Sequence, residues 1–314
     1  MSKLILHLGY PKTGTSTLQN AVFTPLHTAG HIRYLGMGGF QPNDTTGRRG
    51  FFVALRDALY LESDDAFADQ LPNLKSDYAK LKATLSGSGP MVLSNEHFLF
   101  SSWSSRQVNA RIFPKRSAQR LAQVFDGEEV SLVRGTRDLP ELMRSVYVQI
   151  RSNKSHVNHK LIDKTLSEYI ERMCAREDFQ SDMFDIDKSQ THYAKAFPNA
   201  SLLTIEFDDF VQNQRASVAK LLAFIDLSEA AIETLAFPLE HSNAKLKSAQ
   251  GTSVENIPSY LRPLARNDLV SPMLRWMSSF GPFKVFRSHL LRREEIPNLT
   301  NDQRQKIETS FRTP

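Results

Sequence analysis

Apolar residues fall along this chain in two alternating rhythms. Short continuous runs, bounded by polar residues, Gly or Pro, predict strands over Lys3 to Leu8, Ile32 to Leu35, Pro90 to Ser94, Val130 to Thr136 and Ser201 to Glu206. Elsewhere the apolar positions recur every three or four residues, the spacing of one helix face. Leu139, Leu142, Met143, Val146 and Ile150 form one such stripe; Leu166, Tyr169, Ile170 and Met173 a second; Val218, Leu221, Leu222 and Ile225 a third. Strand runs that alternate with helical stripes predict an α/β fold, a three-layer arrangement with a parallel sheet flanked by helices. The stripes read as core and carry no chemistry of their own.

The rhythm changes from about Leu239 onward. Pro258, Pro263, Pro272, Pro282 and Pro297 punctuate short helical pieces, which predicts an α/β core over residues 1–238 and a mostly helical, irregular C-terminal extension over 239–314, packed on the core. A last helix is predicted from Thr300, whose hydroxyl stands three residues before Gln303 in a capping-box pattern. No internal repeat or low-complexity tract interrupts this plan.

Composition narrows the partners more than the fold. With 314 residues, 40% of them hydrophobic and 23% charged, the chain is long enough to bury a large core. The net charge of +5 suits anionic ligands such as phosphates, sulfated sugars or a membrane surface. No dense basic run is interleaved with aromatics, so nucleic acid is not an expected partner. Cys174 is the only cysteine, which excludes an intramolecular disulfide and fits a reducing cytosol. The first apolar segment is too short for a secretory signal and no stretch approaches a membrane span, so a soluble, cytoplasmic protein is expected.

The chemistry starts where the first strand ends. Gly9-Tyr10-Pro11-Lys12-Thr13-Gly14-Thr15-Ser16-Thr17 follows an apolar strand and precedes the amphipathic segment from Leu18 to Phe23. Glycines in such a strand-loop-helix let the backbone turn its N–H groups inward, and the helix N-terminus favours an anion there. Thr15, Ser16 and Thr17 add hydroxyls. Gly9 and Gly14 have the spacing of a nucleoside triphosphate loop, but Thr15 stands where that loop needs Lys. The cation has moved to Lys12. A Lys there reaches the bridging oxygen of an anhydride, so the loop suits a shorter phosphate chain than a triphosphate.

A second anion motif follows the strand Val130 to Thr136. Arg137 stands at its C-terminal end and Ser145 eight residues later, about two turns into the next helix, with Tyr147 and Gln149 close behind. A guanidinium and a hydroxyl so spaced can converge on one phosphate. Arg134 is an alternative guanidinium, but it lies mid-strand.

Together Pro11-Lys12-Thr13-Gly14-Thr15 and the set Arg137, Ser145, Tyr147 resemble the sulfotransferase family, whose 5′-phosphosulfate loop reads PKTGT after a strand and whose 3′-phosphate motif is Arg with Ser eight positions on. A weaker likeness continues through Leu202 to Phe210, so the resemblance spans roughly residues 3 to 227. One departure is local: the family commonly has Pro two residues after the Arg, and here Leu139 holds that position with Pro140 next. The resemblance implies a P-loop-like sulfotransferase fold of the bacterial carbohydrate type. It implies 3′-phosphoadenosine 5′-phosphosulfate as donor, adenosine 3′,5′-bisphosphate as product and no metal. On it, Pro11, Lys12, Thr13, Gly14, Thr15, Ser16, Thr17, Arg137 and Ser145 hold the donor.

Transfer of a sulfuryl group also needs a base for the acceptor hydroxyl or amine. Ser94-Asn95-Glu96-His97 ends the third predicted strand, at the sheet edge where ligands gather in open α/β folds. Either Glu96 or His97 can take the proton, and similar Ser-x-Glu-His segments in bacterial family members favour Glu96. The competing reading has Glu96 cap a helix or pair with Lys, and His97 simply exposed. His7 reads as a core residue, and His192, His241 and His289 show no partner in the sequence.

The acceptor is the open side. A small molecule, or a glycan or glycolipid, is expected. Trp103 reads either as a stacking surface for a sugar ring or as a buried aromatic. The run Trp276, Phe280, Phe283, Phe286, Leu290 and Leu291, flanked by Lys284, Arg287, Arg292 and Arg293, reads either as core with a basic rim or as a surface for peripheral membrane contact or an anionic glycan. Two other functions compete with sulfuryl transfer. A P-loop kinase or nucleotidase is favoured by Gly9 and Gly14 and opposed by Thr15 and the lack of an acidic Mg²⁺ motif; a non-catalytic glycan- or nucleotide-binding module keeps the fold without the chemistry.

Overall fold

A computed structural model describes residues 3–36, 48–61, 63–85, 89–99, 114–152, 164–176, 181, 184–239, 251–256 and 292–311. Trp103, His241, His289 and the aromatic run from Trp276 to Leu291 lie outside these residues, as does the His97 side chain.

Five strands form one parallel sheet: β1 Leu4–Leu8, β2 Arg33–Gly36, β3 Met91–Asn95, β4 Val130–Thr136 and β5 Ser201–Glu206, in the order β2-β3-β1-β4-β5. Each lies within one residue of its expected span. Four are buried along their whole length, which is why their sequences are rich in apolar residues. β5, at one edge of the sheet, is exposed at both ends.

Helices cover both faces. On one, Ile5, Val92, Val133, Leu203 and Ile205 share a core with Leu18, Val22, Phe23 and Leu26 and with Val218, Leu221 and Leu222 of helix Gln214–Phe224. Strand residues two apart from these face the same way, so His7 and Ser94 lie on that side. Helices Arg48–Leu59, Asp64–Thr84, Pro114–Val124 and Ile186–Ala196 complete the sheet's surroundings.

The first helical stretch is irregular. It opens with an α turn at Thr15–Thr17, widens to a π-helix over Leu18–Phe23 and returns to α over Thr24–Thr28. The Thr24 hydroxyl donates to the Gln19 carbonyl at 2.8 Å, meeting one of the carbonyls that the wider winding redirects.

By internal contact the chain forms two units. The first comprises Met1–Ser101, Asn109–Asp138 and Asp185–Asn243 and contains the whole parallel sheet. The second comprises Ser102–Val108, Leu139–Phe184 and Ala244–Pro314. Within it, helices Leu139–Ser152 and Leu166–Cys174 bury the predicted stripes, and helix Asn301–Phe311 begins with the Thr300–Gln303 capping box. The sequence predicts only helical pieces beyond Leu239, yet β6 Gly251–Asn256 and β7 Arg292–Pro297 pair antiparallel there. Arg144 anchors this ribbon: its guanidinium donates to the carbonyls of Pro297 (2.9 Å) and Ile296 (3.1 Å) and to the Thr252 hydroxyl (2.9 Å). Partners so distant in sequence leave no local signal for the ribbon.

Candidate active site

Because all five strands run parallel, the segments that leave β1, β3 and β4 emerge at one sheet edge. Leu8 is in register with Asn95 on one side and Arg134 on the other. Gly9, Glu96 and, two residues further along β4, Arg137 therefore start from neighbouring points. β1 is central; the chain leaves it toward β2 on one side and leaves its neighbour β4 toward β5 on the other, the topological position where open sheets bind ligands.

Backbone conformation shapes the loop after β1. Gly14 has φ of 82°, which glycine adopts without strain, and Lys12 has φ of 69°, which a side chain resists. The loop lies directly on β4: a Cβ at Gly135 would come within 2.5 Å of the Thr13 hydroxyl. Only glycine at 135 admits this approach. Thr13 and Thr15 both donate their hydroxyls to the Tyr10 carbonyl, at 2.8 and 3.1 Å, and both are buried. In this state they tie the loop to itself. Pro11 and Thr17 are also buried, while Gly14 and Ser16 are half-exposed.

Three charges meet above this loop. Arg137 donates from Nη1 to the Lys12 carbonyl at 3.2 Å, and its guanidinium stacks 4.6 Å from the centre of the Phe207 ring. Burial depresses the Lys12 ammonium pKa, Arg137 depresses it further, and Glu96 works the other way. Burial raises the Glu96 carboxyl pKa, opposed by Lys12. Lys12 is thus close enough to both Glu96 and Arg137 to feel each of them in a half-buried setting. Two cations and one carboxylate leave a net positive charge, which fits an anionic ligand, and the raised carboxyl holds a proton more readily than an ordinary carboxylate, which makes it a stronger base.

Beneath them a buried hydroxyl joins the roots of the site. Ser94 Oγ lies 2.7 Å from His7 Nδ1 and accepts from Gln19 Nε2 at 3.0 Å. It links β3, β1 and the helical stretch after the loop. His7 packs edge-on against Phe23 at 5.3 Å, and burial pulls its pKa down to about 4, so the ring is neutral at physiological pH. This agrees with the expectation of a core histidine.

Ser145 belongs to the second unit, half-exposed on helix Leu139–Ser152. Tyr147, on the same helix, is buried and donates its hydroxyl to the Lys164 carbonyl at 2.7 Å. Sequence reading passed over three contributors: Tyr10, fully buried with its phenol pKa pushed up to about 12 mainly by burial; Phe207, the platform for Arg137; and Ser94. Phe207 was legible as the first residue after β5, beside the strand that carries Arg137. Among the described residues no group of three His, Cys, Asp or Glu converges to hold a metal, and no helix is long and apolar enough to cross a membrane.

No protein-family model matches the chain, and no curated protein matches its sequence. Among the solved structures that resemble it are three sulfotransferases. A sulfotransferase from Alicyclobacillus acidocaldarius is 14% identical, with 88% of this chain and 94% of that one covered and a TM-score of 0.46. The sulfotransferase domain from the curacin biosynthetic pathway is 13% identical (74% and 77% covered, TM-score 0.41). The sulfotransferase domain from the Synechococcus PCC 7002 olefin synthase is 16% identical (100% and 96% covered, TM-score 0.36).

Proposed function

We propose that this protein is a sulfotransferase that takes the sulfuryl group from 3′-phosphoadenosine 5′-phosphosulfate and passes it to a hydroxyl or amine, on a carbohydrate or glycolipid acceptor. The observation that carries this reading is the Lys12, Glu96 and Arg137 cluster over a glycine-turned loop whose sequence reads PKTGT.

The donor supplies an activated sulfur–oxygen bond to a good leaving group. Lys12 offsets the charge that gathers on the bridging oxygen as that bond breaks, and its lowered pKa reflects burial that strengthens the interaction. The backbone N–H groups from Lys12 to Thr17 line the 5′-phosphate side, with the hydroxyls of Ser16 and Thr17. Arg137 holds the 3′-phosphate, the role that the sequence motif also gives Ser145. Glu96 takes the proton of the acceptor as its oxygen or nitrogen attacks sulfur, and adenosine 3′,5′-bisphosphate departs. His97 is the second candidate for that proton. We assign the reaction to the cytoplasm, a reading supported by the chain's single cysteine, Cys174.

Isothermal titration separates this from the nucleotidase reading. Adenosine 3′,5′-bisphosphate without metal should bind more tightly than ATP with Mg²⁺, and the reverse order would overturn the assignment. A non-catalytic module is excluded by transfer of labelled sulfate to a panel of glycans and small alcohols that disappears in Lys12→Ala.

A further inference from the structure

Arg134 lies outside the cluster just described, and among the described residues it is a buried charge with little to pair with. It is 6% exposed on β4. Its Nε and Nη1 find no hydrogen-bond partner among the described residues, and its only hydrogen bond is a long one, 3.4 Å from Nη2 to the Thr204 hydroxyl. The titratable groups it feels are Tyr10, Asp187 and Glu206, and both carboxylates are exposed to water. Neither forms an ion pair with it. A guanidinium buried in this way is costly, and a packed apolar side chain of similar volume holds a fold at least as well.

Its position says what retains it. Arg134 is level with Leu8, the last residue of β1, and Tyr10 of the loop lies within its electrostatic reach. The next residue, Gly135, is the one on which Thr13 rests. We propose that Arg134 serves the loop as a buried source of positive potential, strengthening anion binding without touching the anion, at the expense of stability in the free protein. This rests on the reading that the loop binds the donor's phosphates. Burial spares such a charge most of the screening that salt imposes on surface residues.

The full-length Arg134→Met and Arg134→Lys variants test this, with adenosine 3′,5′-bisphosphate as titrant and urea unfolding without ligand. A unit charge acting over about 10 Å at an effective dielectric near 20 changes a binding constant about tenfold. Arg134→Met should therefore bind about tenfold more weakly and unfold at a higher urea concentration than the wild type, while Arg134→Lys keeps most of the affinity. Undiminished affinity in Arg134→Met overturns the proposal. So does a lower urea midpoint or failure to fold, since either makes the residue a structural one. Absence of binding by the wild-type protein refutes the reading of the loop itself, a different failure.

Discussion

At the scale of single residues, the site turns on how burial moves protons. Glu96 is a carboxyl whose affinity for protons is raised by burial and only partly restored by Lys12. It works as a base when ionised, so transfer should fall away as pH drops through a pKa above the ordinary carboxylate range. Glu96→Gln should leave adenosine 3′,5′-bisphosphate affinity unchanged and lower turnover by about 10² or more. Sulfated product formed from labelled donor is the measure. If turnover survives in Glu96→Gln and is lost in His97→Ala, the base is His97. Lys12, Glu96 and Arg137 were each legible in the sequence because they lie just beyond predicted strands, and the end of a strand is where a parallel sheet presents side chains. Tyr10 was not, and Arg134 was legible only as an alternative guanidinium for the phosphate. A polar residue within or beside a strand reads the same whether or not it finds a partner.

At the scale of elements, a second buried arginine makes the contrast with Arg134. Arg120, 1% exposed on helix Pro114–Val124, donates to the carbonyls of Ala58, Leu59, Leu61 and Ser63 at 2.8–3.2 Å and to Asp64, and lies 4.8 Å from the centre of the Phe67 ring. It meets the orphan carbonyls at the end of helix Arg48–Leu59 and fixes the turn into helix Asp64–Thr84, whose N-cap is Ser63. Arg120→Met should cost about 3 kcal/mol or more, read from urea unfolding, because several buried carbonyls lose their donor together. The same substitution at Arg134 should move stability the other way. Five strands were foreseeable because each is a short segment rich in apolar residues that lacks helical spacing. The β6–β7 ribbon was not: its strands are polar and lie in a proline-punctuated region, and β6 is separated from β7 by a long intervening stretch. Nor was the π-helix, since Leu18 to Phe23 has ordinary helical composition.

At the scale of the whole molecule, His7 makes stability depend on pH. Its folded pKa of about 4 is below the ordinary 6.5, so between those values the unfolded chain binds the proton more readily. Stability contributed by the neutral ring is complete above pH 6.5 and is lost as pH falls toward 4, by about 3 kcal/mol in all. Urea unfolding at pH 7 and pH 4.5 should show this loss in the wild-type protein and a smaller one in His7→Leu. Most of the α/β plan was readable from periodicity alone. The division into two units was not, because residues 139–184 join the chain's last segment through contacts that no local pattern announces.

The strand order β2-β3-β1-β4-β5 also governs when the chain can acquire its function during synthesis. β1 and its loop are made first, but β1 has no neighbour until Met91 to Asn95 has emerged and is flanked on both sides only after Val130 to Thr136. A nascent chain must carry a mostly apolar strand past the ribosome exit without any partner until β3 emerges, and with one side open until β4 does, an interval in which chaperones and stray strands compete for it.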